Sequence, residues 1–369
     1  MLHIGTVQID SHVLLAPIAG YTDRAFRLMA REAGHCGLAY TELLHPLGIE
    51  NNSRQALDII REDATDQPLG VQIYGNDPEW FVKAARWAVD HGAIIVDINM
   101  GCPVDKVTKT NGGSMLLCDP DRTTRMAEQV VNAVDVPVTA KLRLGWDFSQ
   151  LTAPRLARQL EDAGVRLITI HGRTTSMRFK GSVHLEGIAS VVAAVRHIPV
   201  IGNGDINSVD DAARMMQVTG CAGVMIARGS IKRPWLLRDI DHWQRTGGRE
   251  RLPEPTLIEK IGLIRRHFER MLEFRGERET ISLMRGRIAS YAVTMGHFKP
   301  IKERIRLMAS PADFFAALDD LASCVADPTW TAFPLHSVPW GDERDRVGAA
   351  GDDESDAKVA DESAVVQHR

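Results

Sequence analysis

Short apolar runs rich in valine and isoleucine recur along the chain: HVLLAP (12–17), LAYTE (38–42), PLGVQIYG (68–75), AIIVDINMG (93–101), PVTAKLRLG (137–145), RLITIHGRT (166–174), PVIGNGDI (199–206) and GVMIARG (223–229). Between them the apolar residues repeat at helical spacing. In DPEWFVKAARWAVDHG, Phe81, Ala84, Ala85 and Ala88 share one face, and SVDDAARMMQVTG opens with a serine cap and closes with glycine. Strands that are apolar throughout are buried on both faces, and their alternation with helices predicts a parallel sheet. Eight such units within about 230 residues predict the α/β class and a closed (β/α)₈ TIM barrel. The alternative is an open doubly wound sheet. It is disfavoured because no run is followed by GxGxxG opening a helix, and GNGDIN carries only the first two glycines.

After about Arg251 the pattern becomes continuously helical, through TLIEKIGLIRRHFERMLEFRGERETISLMRGRIASYAVTMGHFKPIKERIRLMAS and PADFFAALDDLASCV. The expected organisation is a catalytic barrel over 1–245, a smaller all-helical domain over 251–335 and a disordered acidic tail over 341–369. The tail holds nine acidic and four basic residues and few large apolar ones, too little to bury for it to order itself. Its −5 accounts for the formal net charge of −4 and leaves the remainder at +1. Residues 251–310 carry thirteen Lys and Arg against seven Asp and Glu, a local +6. A basic helical module beside a barrel mouth fits a phosphate-backbone partner, whereas on one isolated helix such charges would read as a solvated face.

With 369 residues, 44% hydrophobic and 25% charged, the chain has ample material for one large and one small domain. No run of about 18 apolar residues spans a bilayer, and the start lacks a basic flank with a small-residue cleavage site, so a cytoplasmic location without membrane contact is expected. The five cysteines form no CxxC pair and do not stand at zinc-ligand spacing with histidine, so reduced thiols and no metal are expected. The chain is expected to be a monomer.

In a barrel of this kind, reactive groups project from the C-terminal ends of the strands. Gln72, Asn99, Lys141, Arg143, His171, Arg173, Asn203, Asp205 and Arg228 all fall there. One polar residue at a strand end is ordinary loop solvation; polar groups at most of the ends converge on one mouth. NGDI and ARG end the last two units, whose loops in such barrels hold phosphate through backbone N–H groups, here beside Arg228. DINMGCP (97–103) presents a thiol, Cys102, between turn-forming Gly101 and Pro103.

Taken together, LLAPIAGYTD (14–23), QIYG (72–75), DINMGCP, KLRLGW (141–146), HGRT (171–174), NGDI (203–206) and ARG (227–229) resemble, in order and spacing, the flavin-dependent tRNA-dihydrouridine synthases of bacterial type, over roughly residues 10 to 315. The resemblance implies an FMN-binding barrel reduced by NADPH or NADH, followed by a helical domain that helps hold tRNA. It places Ala16, Pro17 and Ile18 under the flavin and Gln72 and Lys141 at its ring. Asn99 falls at the ring or the uracil edge. His171, Asn203, Gly204, Asp205, Ala227 and Arg228 fall around the phosphate and ribityl chain, and Cys102 matches the proton donor. Candidate tRNA contacts are Arg143, Arg173, Arg285, Arg287, Lys299 and Arg304. Two positions depart from the family pattern: Ile18 where methionine is frequent, and Ala227 where GRG is common.

The implied activity is an FMN-dependent NAD(P)H:tRNA-uridine oxidoreductase that reduces the 5,6 double bond of a uridine. That reduction needs a hydride at C6 and a proton at C5, and a thiol with an ordinary pKa of about 8.5 is largely protonated at neutral pH. A uridine in folded tRNA must leave its stack to reach a barrel floor. Two other readings stay open on the sequence: an FMN barrel acting on a free pyrimidine, similar to dihydroorotate dehydrogenases, and an RNA-binding barrel without catalysis.

Overall fold

The computed structural model describes residues 1–327 except 45, 51, 52, 61, 62, 297 and 298. The acidic tail expected over 341–369 and the end of the helical region expected to 335 lie outside the described residues. Ten strands are present among those described: β1 (Leu2–Ile4), β2 (Val7–Ile9), β3 (Val13–Leu15), β4 (Leu38–Tyr40), β5 (Leu69–Ile73), β6 (Ile95–Met100), β7 (Val138–Arg143), β8 (Leu167–His171), β9 (Val200–Asn203) and β10 (Gly223–Ile226). The last eight close into a parallel barrel in which β10 pairs with both β3 and β9. Each of the eight apolar runs supplies one of these strands, and the open-sheet alternative is set aside.

The barrel has an inside and an outside that the two-residue period of each strand separates. Along β6, Val96 and Ile98 join the cluster packed under the surrounding helices, while Ile95 belongs to a second cluster inside the barrel with Leu14, Leu38, Tyr40, Leu167, Ile201 and Met225. Asp97 and Asn99 continue that inner row upward, so the lower interior is apolar and the upper interior polar. Close packing inside leaves no spare room: a Cβ on Gly70 would stand 2.5 Å from the Tyr40 ring.

The helices between strands carry their own start and stop signals. Pro78–Asp90 begins at Asp77, whose carboxylate accepts from the Glu79 and Trp80 N–H groups, with proline at the first position. Val209–Thr219 is capped by Ser208 and stops at Gly220, whose φ of 72° suits a residue without a Cβ.

Two features differ from the sequence expectation. A short antiparallel hairpin, β1 with β2, precedes the barrel. Gly5 in its turn approaches Pro137 and Arg166, which stand just before β7 and β8, and Leu2, Ile4 and Ile9 join the inner apolar cluster, so the hairpin plugs the N-terminal end of the barrel. The continuous helical stretch is also broken into four helices, Leu257–Arg275, Glu277–Ala292, Lys299–Leu307 and Pro311–Ala326. The first break comes at Gly276, with φ 77°. These helices pack around Phe268 and Phe314, stacked 3.8 Å apart, each such burial contributing roughly 1.5–3 kcal/mol. No described helix is long and apolar enough to cross a membrane.

Candidate active site

A cavity of about 380 Å³ opens at the C-terminal mouth of the barrel, within the size range of small-molecule sites. Ala16, Pro17, Ile18, Gln72, Asn99, Cys102, Lys141, His171, Asn203, Gly204, Asp205, Ala227 and Arg228 all line it. Strand register explains the convergence: Asn99 stands beside Lys141, Arg143 beside His171, and His171 beside Asn203.

The floor is tightly bonded. The Asp97 carboxylate accepts from Gln72 Nε2 and Thr139 Oγ1, both at 2.6 Å. Gln72 Oε1 accepts from Asn99 Nδ2 at 2.8 Å, and Asn99 Oδ1 accepts from the backbone N–H groups of Gly101 and Cys102 at 3.2 and 3.0 Å. Each amide nitrogen thereby keeps one N–H unused by these bonds, so Gln72 and Asn99 offer donors to the cavity. Lys141 Nζ crosses to Asn203 Oδ1 at 2.9 Å, and burial together with Arg143 brings its pKa down to about 8, leaving it cationic at neutral pH.

Burial raises the Cys102 thiol above its ordinary range, although the Val104 backbone N–H, Arg143 and Lys141 pull the other way. The sulfur is therefore a thiol at neutral pH and has cations at hand once the proton leaves. Tyr74 stands on the same side, its own pKa pushed up to about 12 by burial and by Cys102.

At the far side, burial and four surrounding cations hold His171 well below its ordinary pKa. Its Nε2 faces Arg173 Nη1 at 3.1 Å; arginine only donates, so Nε2 is the acceptor and the ring proton sits on Nδ1. Asp205, in the left-handed region at φ 52°, accepts both Arg173 contacts at 2.7 Å and the Val183 N–H at 2.9 Å, with Arg228 at 3.7 Å. Gly204 is obligatory beside it: its φ is 109°, and a Cβ would stand 2.5 Å from Val183.

The candidate RNA contacts divide. Arg143 is buried and donates to the carbonyls of Gly101, Thr174 and Arg178, tying the Cys102 turn to the loop after β8. Arg173 is buried against Asp205 and the Lys180 carbonyl. Arg287 is buried too, donating to Asp23 Oδ2 at 2.7 Å and the Gly20 carbonyl at 2.6 Å. These three therefore brace the cavity from within, Arg143 and Arg173 at the strand ends where the sequence put them and Arg287 inside the protein instead of on the solvated face its basic helix suggested, because a buried guanidinium must find its partners inside the protein. Arg285, Lys299 and Arg304 are exposed; Arg285 donates to the Met308 carbonyl and Arg304 pairs with Asp320 at 2.6 Å.

Beside Arg287, the cavity takes a wall from residues the sequence reading did not single out: Glu42, and Arg275, Glu279 and Ser290 of the C-terminal helices. Arg275 and Arg287 both face Asp23, the cap of the helix Arg24–Ala33, and hold its carboxyl well below the usual range against its burial. Asp23 closes the quoted LLAPIAGYTD stretch, a signal for the barrel half of this seam; nothing local marks the helical half. All five cysteines are free, and among the described residues no group of three or more His, Cys, Asp or Glu is arranged to hold a metal ion.

A family model described as "Dihydrouridine synthase (Dus)" matches residues 14–326. The chain is 40% identical over 277 residues to "Probable tRNA-dihydrouridine synthase 1" of Synechocystis sp., covering 75% of this chain and 77% of that protein. It is 36% identical over 334 residues to "tRNA-dihydrouridine synthase B" of Pseudomonas aeruginosa, covering 88% and 99%. Among solved structures, histamine dehydrogenase from Rhizobium sp. 4-9 shares the fold at a TM-score of 0.50 and 15% identity, over 73% of this chain and 50% of that one. Since the matched region runs from the first barrel strand through the cavity to the last described helix, the chain belongs to the dihydrouridine synthase family.

Proposed function

We propose that the protein binds FMN in the barrel mouth, takes electrons from NADPH or NADH, and reduces the 5,6 double bond of a uridine in tRNA. The observation that carries this reading is the meeting, in one cavity, of a protonated thiol, a lysine cation and a row of fixed amide donors.

The donor set fits a flavin mononucleotide. Lys141 offers a positive charge to an electron-rich ring, and Gln72 and Asn99 offer N–H groups to its polar edge. Arg228 and the Gly204 and Ala227 turns form the phosphate end, where His171 stays neutral. When bound, FMN supplies the hydride that adds to C6 of the uracil. Cys102 supplies the proton to C5, and its pKa above the neutral range keeps that proton in place until carbanion character develops there. The sulfur left behind is a thiolate, which Lys141 and Arg143 stabilise until solvent reprotonates it. Arg143, by holding the Gly101 carbonyl, keeps the thiol loop at the mouth.

The substrate base enters by extrusion from the RNA stack. Arg285, Lys299 and Arg304 are the exposed cations assigned to its backbone. The test is direct: the purified full chain is incubated with FMN, NADPH and unmodified tRNA, and dihydrouridine is read by nucleoside mass spectrometry. Retention of FMN with a tRNA-dependent gain of two hydrogens on uridine is expected. A protein that takes up no FMN, or that oxidises NADPH with a free pyrimidine but leaves tRNA unchanged, overturns the proposal.

A further inference from the structure

We infer that Asp97, which lies beneath the cavity and does not line it, is a positioning residue that sets the Cys102 turn through the side chains of Gln72 and Asn99. The inference rests on the reading of Cys102 as proton donor.

The argument is one of polarity along a run of hydrogen bonds. A carboxylate only accepts, so Asp97 Oδ2 obliges Gln72 to turn its nitrogen toward it, at 2.6 Å. Gln72 Oε1 then faces Asn99 and obliges that side chain to present Nδ2, at 2.8 Å. Asn99 Oδ1 is left facing the turn, where it accepts from Gly101 and Cys102 N–H together. Reversing any one amide would reverse the rest: Gln72 Oε1 would oppose the Asp97 oxygen, and Asn99 Nδ2 would oppose two backbone donors. The run therefore has a single satisfied direction, held at one end by the Asp97 carboxylate and met at the other by the two backbone N–H groups of the turn, so Asp97 braces the turn through both amides. Thr139 Oγ1 holds the other carboxylate oxygen at 2.6 Å, fixing the anchor itself. Burial raises Asp97 to about 6, while Gln72, Thr139 and Lys141 hold it down, so it is ionised at neutral pH as the run requires.

Two substitutions separate hydrogen-bond direction from charge. Asn at 97 can keep its oxygen toward Gln72 and turn its amide nitrogen to the Thr139 hydroxyl, which accepts as well as donates. Asp97→Asn thus preserves the direction without the charge, and Asp97→Ala removes the anchor. Two readouts are taken on the full chain: dihydrouridine formation at saturating tRNA, and the alkylation rate of Cys102 by iodoacetamide, read by peptide mass spectrometry against exposed Cys118 as an internal reference. For Asp97→Ala, kcat is expected to fall, and the Cys102-to-Cys118 alkylation ratio to change, each by about tenfold, with KM for tRNA unchanged, because a buried hydrogen bond to a charged group shifts such populations by about that factor. Asp97→Asn is expected to restore both to within about threefold. Gln72→Met, which deletes the middle link and leaves the carboxylate, must reproduce the Asp97→Ala alkylation ratio and serves if the alanine variant does not fold.

Unchanged Cys102 alkylation in both Asp97→Ala and Gln72→Met overturns the inference, as does an Asp97→Asn variant as impaired as the alanine one. Should wild type form no dihydrouridine while the alkylation pattern across the variants holds, the proposed function fails and the positioning run stands.

Discussion

Replacing Arg287 by leucine tests whether the C-terminal helices are locked to the barrel by a buried charge. Its Nη2 lies 2.7 Å from Asp23 Oδ2, and both side chains are 5% exposed. The same nitrogen donates to the Gly20 carbonyl at 2.6 Å, and Nη1 faces His267 Nε2 at 3.3 Å. Breaking a buried pair by removing one partner costs about 3–5 kcal/mol, because the remaining charge is stranded. Arg275 still faces the Asp23 carboxylate at 3.3 Å, so the lower end, about 3 kcal/mol, is expected. With a urea slope of about 3 kcal/mol/M, that moves the unfolding midpoint by about 1 M. Arg304→Leu is the companion variant. It breaks an exposed pair with Asp320, 47% and 62% exposed, for which about 1 kcal/mol or less is expected. Both variants would be followed by circular dichroism in urea. A midpoint shift for Arg287→Leu no larger than that for Arg304→Leu would refute the claim that this pair locks the seam.

Cys102→Ala is expected to retain FMN and its reduction by NADPH while dihydrouridine formation nearly disappears; wild-type turnover would remove the thiol as proton donor. Lys141→Ala and Arg228→Ala should each lower the FMN-to-protein ratio measured by absorbance, and full occupancy in both would misplace the cofactor. Burial brings His267 down to about 3 from an ordinary value of about 6.5, so below pH 6.5 the unfolded chain takes a proton that the folded one refuses. Stability from this group is therefore complete above about pH 6.5 and declines as pH falls toward 3; His267→Gln should flatten the midpoint-versus-pH slope between pH 6.5 and 4.5, and an unaltered slope would contradict the assignment. The double reversal Lys299→Glu, Arg304→Glu is expected to weaken tRNA binding in filter assays by at least about tenfold without changing FMN content, and unchanged affinity would take these cations out of the RNA surface.

The barrel was legible because strands buried on both faces leave uninterrupted apolar runs, and the cavity because its polar groups sit where those runs end. The hairpin was not, since exposed His3 and Gln8 interrupt the apolar residues of Leu2–Ile4 and Val7–Ile9, and three residues are too few to show that alternation as a period. Arg287 was placed on the RNA surface because a charged residue in a basic helix reads as solvated. Its partner Asp23 stands 264 positions earlier, a separation no local pattern spans. Asp97 was passed over for the opposite reason, lying inside an apolar run where only the register with Gln72 and Thr139 gives its carboxylate a role.

The hairpin over the lower end of the barrel gives the molecule a closed base and one working end. A fluorescent protein or affinity tag joined ahead of Met1 would emerge on the side away from the opening, and should leave the approach of a large polyanion free. Removing residues 1–10 would uncover the apolar layer of Leu14, Leu38 and Ile95 from below, so the loss should register first in solubility and only afterwards in turnover.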